Sequence, residues 1–157
     1  MVRGYHDHLR VPVTVGRGAL LASSIRGWSP DGGQRADAGI YLDQQWLMKL
    51  GVIGHRILSA GKHPATIAHW PDMGVPRRQH LALALDWVNL YLSEGKAVEV
   101  ACVGGHGRTG TFIACALREY GASLTDAVST VRDLVCQQCV ETVPQRDLIQ
   151  SWERRRT

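Results

Sequence analysis

The stretch from Ala97 to Tyr120 constrains this 157-residue chain more than any other. A β-rich run, Ala97 to Ala101, leads directly into Cys102-Val103-Gly104-Gly105-His106-Gly107-Arg108, and a helix is expected from about Thr109 to Tyr120, stopped at Gly121. Glycines at 104, 105 and 107 let the backbone curl until successive N–H groups converge on one point, which is how proteins build anion nests. The positive end of the following helix adds to the same attraction. A tetrahedral oxyanion such as phosphate or sulfate is the natural guest of Val103 to Arg108. Cys102, at the base of this bowl, is expected to ionise below the ordinary thiol range and to act as a nucleophile. Arg108 supplies a planar fork that can grip two oxygens at once.

Around this unit the chain reads as alternating strands and helices. Strand-like runs are expected at Val11 to Val15, Leu20 to Ile25, Gly39 to Asp43 and Thr66 to His69, with a turn at Ser29 to Gly33. Gln44 to Leu50 looks helical, and Gly61 to Pro64 breaks what precedes it. From Arg78 to Leu92 apolar residues recur at helical spacing (Leu81, Leu85, Val88, Leu92), joined by Leu83, Trp87 and Leu90 on a broad face expected to be buried. Ser123 with Asp126 marks the start of a helix carrying Ala127, Val128, Val131 and Leu134, and Thr142-Val143-Pro144 opens the last one. The expected fold is α/β, a central, mostly parallel sheet of four or five strands flanked by helices, in a single domain of residues 1–157.

Composition narrows the setting. With 45% hydrophobic and 20% charged residues the chain is that of an ordinary globular protein. The segment Met1 to Arg10 lacks a secretory apolar core, and no run approaches the roughly 20 apolar residues that span a bilayer. Four cysteines crowded into the C-terminal half do not form a secreted disulfide framework, so a cytoplasmic, reducing location is expected. A net charge of +4 suits an anionic substrate without specifying one. Arg154 to Arg156 reads as a solvated tail, and nucleic acid is not an expected partner.

Cys-x5-Arg within Cys-x-x-Gly-x-Gly-Arg-Thr-Gly resembles the signature of the protein tyrosine phosphatase superfamily, and Trp70-Pro71-Asp72-Met73-Gly74-Val75-Pro76 resembles its mobile general-acid loop. The chain is similar in size to the compact dual-specificity group. The resemblance implies a phosphatase that forms a cysteinyl-phosphate on Cys102, stabilised by Arg108. Asp72 would protonate the leaving oxygen and then activate water, giving a bell-shaped pH profile. Thr109 would hydrogen-bond the sulfur as it leaves. Gln145, in Glu141-Thr142-x-x-Gln145, would position that water, with Glu141 where the family often has glutamine. Expected substrates are phosphotyrosine or mixed phosphoproteins and peptides. Phosphoinositides or RNA 5′-phosphates, and a weakly catalytic module that captures phosphorylated partners, are the alternatives.

One departure stands beside the nucleophile, since Ala101 occupies the position where the family usually has histidine. Glu99 shares a strand face with Ala101 and is a candidate substitute, through the loop or Arg108, or else a surface residue. His106 is expected to point outward at the rim of the loop. No cofactor or metal is expected. Cys136-x2-Cys139 lacks a second ligand pair and reads as packing, as does Cys115, and His6-Asp7-His8 lies in what reads as an unanchored terminus. Trp28, Trp46 and Trp152 read as core or rim aromatics.

Overall fold

A computed structural model describes residues 7–25, 33–42 and 63–153. The turn expected over Ser29 to Gly33, apart from Gly33 itself, lies outside these residues, as do the helix over Gln44 to Leu50, the first two residues of the break at 61–64, His6, Trp28, Trp46 and the terminal arginines.

The described strands are β1 (Val11–Val15), β2 (Gly18–Ser24), β3 (Ala38–Tyr41), β4 (Ala65–Ile67) and β5 (Ala97–Cys102), in the spatial order β1-β2-β5-β3-β4. β1 and β2 form an antiparallel hairpin, while β2–β5, β5–β3 and β3–β4 are parallel, so the sheet is mostly parallel as expected. The hairpin turns at Gly16, whose φ of +58° is open to glycine at little cost. β5 is central. Alternate residues Val98, Val100 and Cys102 enter the main core with Leu20, Ala22, Ala38 and Ile40, and Glu99 and Ala101 occupy the opposite face.

The described helices, α1 (Arg78–Leu92), α2 (Gly107–Glu119), α3 (Leu124–Leu134) and α4 (Val143–Ser151), all feed that main core. α1 buries Leu81, Leu85, Val88 and Leu92, but its apolar face is narrower than its sequence suggests, because Leu83 and Leu90 are 67% and 65% exposed. Ser123 caps α3 through the N–H of Asp126, and Thr142 with Gln145 forms a complete capping box on α4 with proline in its first turn. α2 starts at Gly107, two residues before the expected Thr109, so the loop's last residues already belong to the helix. Trp152 is buried and donates to the Glu119 carboxylate at 3.1 Å. No described helix is long and apolar enough to cross a membrane.

The far face of the sheet holds a buried polar cluster. Glu99 is fully buried, not at the surface, and accepts hydrogen bonds from Arg10 Nε (2.8 Å), Ser23 Oγ (2.9 Å) and Tyr41 Oη (2.9 Å). Arg10 has a left-handed backbone, φ +48°, which a non-glycine residue adopts only when its surroundings hold it. Its N–H donates to Ser23 Oγ and its guanidinium to the Gln34 carbonyl. Glu99→Ala would strand the Arg10 charge in the interior and is expected to cost about 3–5 kcal/mol of unfolding free energy, read as a fall in denaturant midpoint. Glu99→Gln, which keeps acceptors for Ser23 and Tyr41, should cost less.

Candidate active site

Parallel sheets present ligands to the carboxyl ends of their strands, and that is where β5 ends. Its last residue is gripped on both sides: Ile25 N–H donates to the Cys102 carbonyl and Leu42 N–H to the Ala101 carbonyl, both at 2.8 Å. Cys102 is buried, and its Sγ accepts the Gly105 N–H at 3.3 Å as the loop folds back over it. Gly105 makes this possible with φ +74°. A side chain there would meet Ser24 Oγ at 2.6 Å and the Ser23 carbonyl at 2.9 Å.

Ser24 is a site residue that the sequence did not reveal. Its hydroxyl donates to the Gly104 carbonyl and accepts the His8 N–H, both at 2.8 Å, so β2 fixes the loop from below. The polar pair Ser23-Ser24 at the end of an apolar strand was the available signal, but its meaning depended on the pairing of β2 with β5. At the loop's far end, Gly110 N–H and Thr111 Oγ1 bond the carbonyls of His106 and Gly107, winding the first turn of α2.

Arg108 is buried and lies where two segments cross. Its Nη1 is 3.4 Å from the carbonyls of Leu42 and Trp70, and its Nη2 is 3.5 Å from Asp72 Oδ1. Asp72 is itself 78% exposed, so one end of this ion pair faces solvent at the mouth of the loop. Trp70 anchors the segment: it is buried edge-on against Phe112 and donates Nε1–H to the Gly74 carbonyl at 2.8 Å, while Gly74 N–H closes a turn onto Pro71. Gln145 joins from α4. Its carboxamide is buried, accepting from the N–H groups of Glu141 (2.8 Å) and Thr142 (3.3 Å) and donating to the Gly74 carbonyl at 3.4 Å. Glu141 stands beside the loop, since a side chain at Gly107 would meet its carboxylate at 3.0 Å.

One expectation fails here. His106 turns inward, not toward the rim: it is buried, and its Nδ1 lies 3.1 Å from Nε2 of His8, which is itself buried and anchored on Ser24 and not adrift in a loose terminus. Thr109 Oγ1 is buried and makes no hydrogen bond to the described residues. The Cys115 and Cys139 thiols belong to packing. Burial pushes the Cys115 thiol up, and that of Cys139, packed against Gly110, up to about 12.

The loop from Cys102 to Arg108 and the segment carrying Asp72, two separate motifs in the sequence, thus meet through the Arg108–Asp72 pair, with Gln145 tied to the same segment through Gly74. A family model described as "Tc-R-P: Polymorphic toxin system, DSP-PTPase phosphatase" matches residues 57–122. Uncharacterized protein MJECL20 of Methanocaldococcus jannaschii is 31% identical over 117 residues, which cover 74% of this chain and 76% of that protein. Among solved structures, Tk-PTP in its active form is similar at 25% identity and a TM-score of 0.69, covering 91% of this chain and 96% of that one. PTPMT1 in complex with PI(5)P shares the fold at 15% identity and a TM-score of 0.68, covering 90% and 94%.

Because Gly105 carries both the left-handed turn and the close approach to Ser23, Gly105→Ala is expected to weaken binding of inorganic phosphate or tungstate about 5- to 30-fold, from the roughly 1–2 kcal/mol of left-handed strain alone. Isothermal titration checks this, alongside a thermal melt that should remain cooperative.

Proposed function

The chain belongs to the protein tyrosine phosphatase superfamily and is a phosphatase, and on that premise we propose that it is a single cytoplasmic phosphatase domain of the tyrosine or dual-specificity type. It hydrolyses phosphate monoesters on proteins or peptides through a cysteinyl-phosphate. The observation that carries this reading is the loop itself: at one end Cys102 Sγ lies under the folded-back Gly105 N–H, and at the other Arg108 reaches Asp72 at 3.5 Å.

The phosphate of a substrate enters the bowl of N–H groups from Val103 to Arg108, and the Arg108 fork takes two of its equatorial oxygens. The Cys102 thiolate attacks phosphorus in line. As the P–O bond to the substrate breaks, Asp72 gives its proton to the departing oxygen. In the second step water attacks the cysteinyl-phosphate, its proton passes to Asp72, and the S–P bond breaks to return the thiolate and free phosphate. Thr109 belongs to this step: a buried hydroxyl without a partner, in the turn that follows the loop, is poised to donate to the sulfur as it leaves. Gln145 serves the same step by holding the acid segment at Gly74 and, with Glu141, flanking the approach of water. Reduced conditions suit this chemistry, and none of the four cysteines is in a disulfide.

A phosphoinositide substrate, as in the PTPMT1 complex, had His106 as its residue-level hint here. With that ring buried against His8, the phosphoprotein reading is preferred.

Hydrolysis of an aryl phosphate by the natural protein and two variants tests the assignment. Cys102→Ser should abolish turnover, and Asp72→Ala should lower kcat about 10²- to 10⁴-fold with KM little changed. Equal rates in all three proteins would remove both roles. A natural protein that binds phosphopeptides tightly yet turns over no ester would be a binding module instead.

A further inference from the structure

Beside the phosphate loop, three metal-ligating side chains converge from distant parts of the chain. His8 precedes β1 and is clamped to Ser24 by its N–H and its carbonyl. His106 belongs to the loop. Cys136 lies in the connection between α3 and α4, in a turn closed by Cys139 N–H onto its carbonyl at 3.0 Å. The rings of His8 and His106 stand almost perpendicular, at 89°, with Nε2 of the first 3.1 Å from Nδ1 of the second. One ligand atom from each of the three residues lies within 4.8 Å of the others, and the residues are only 9%, 7% and 8% exposed.

We propose that His8, His106 and Cys136 form a zinc site that ties the phosphate loop to the N-terminal segment and to the α3–α4 connection. Two imidazole nitrogens and a thiolate suit a borderline-soft ion and not magnesium or calcium. Zinc bound tetrahedrally at about 2.0–2.1 Å holds two nitrogens about 3.3 Å apart, so the ion can replace the proton shared by the two rings with little movement of either. Sulfur at about 2.3 Å from the ion would sit about 3.5 Å from each nitrogen, which asks the Cys136 side chain to close in by roughly 1 Å. Both histidines bind as neutral imidazoles with the lone pair on the facing nitrogen, and the thiol releases its proton to solvent, one per zinc bound. Water completes the fourth position. Cys139 takes no part, being packed against Gly110. This site does not depend on the catalytic reading, because it is read by metal uptake and not by turnover.

The full chain, stripped by chelator under reducing conditions, is titrated with Zn²⁺ against a chromophoric chelator, and in parallel with Co²⁺. Expected are one equivalent of zinc, a rise in thermal midpoint of about 5–10 °C at saturation, and a thiolate-to-cobalt charge-transfer band. Cys102→Ser should retain all three, Cys136→Ser should lose the band, and His8→Ala should bind zinc at least tenfold more weakly. The assignment is overturned if the folded natural protein takes up no zinc, or if uptake vanishes with Cys102→Ser and survives Cys136→Ser. Should the Cys136 and His8 variants fail to fold, the cobalt band decides alone: present in Cys102→Ser it supports the site, absent there it places the metal on the nucleophile.

Discussion

The site depends on the way the end of β5 is clamped and then reversed. Parallel ladders on both flanks hold the backbone at Ala101 and Cys102 against Leu42 and Ile25, so the sulfur projects from the most constrained strand in the sheet. The chain reverses at once through Gly105, and the Gly105 N–H that faces the sulfur is held in place because Ser24 bonds the Gly104 carbonyl of the same peptide from beneath. Electrostatic stabilisation is worth most when its donors need no reorganisation at the moment of reaction, and this rigidity supplies that condition.

Beneath the loop the sheet carries an unusual load for its centre. The Arg10–Glu99 pair is buried with Ser23 and Tyr41 satisfying the carboxylate, an arrangement whose desolvation cost is offset only when every partner is in place. Ser23 belongs to this cluster and its neighbour Ser24 to the phosphate loop, so the two polar systems share two consecutive residues of β2. Ala101, where relatives often carry histidine, faces the same side of the sheet as Glu99 and packs with Ile25 and Tyr41. Beside that position, Ser24 ties β2 to the loop through the Gly104 carbonyl and to the N-terminal segment through the His8 N–H.

Much of this was legible in the sequence where the information is local. Glycine spacing around Cys102, the Trp70-Pro71-Asp72 segment, the caps at Ser123 and Thr142 and the mostly parallel sheet all follow from residues close together in the chain. What failed to show was long-range. His8 reads as a loose end until its ring is seen against His106, and Glu99 is ambiguous until Arg10 arrives from far upstream. Leu83 and Leu90 misled for a different reason: helical periodicity identifies apolar residues, but which of them face the core depends on how the helix is rotated against the sheet. Thr109 illustrates a third limit, since its motif position suggests a role in the reaction while its hydroxyl is buried with no hydrogen bond to the described residues.

The central claim is that one sulfur carries the phosphoryl group between substrate and water. Rapid acid quenching during hydrolysis of an aryl phosphate, followed by proteolysis and mass spectrometry, tests it most directly. The account predicts a phosphorylated peptide spanning Cys102, forming no more slowly than product. Steady turnover with phosphate attached to His106 or another side chain, or with no modified peptide at any time point, would contradict it.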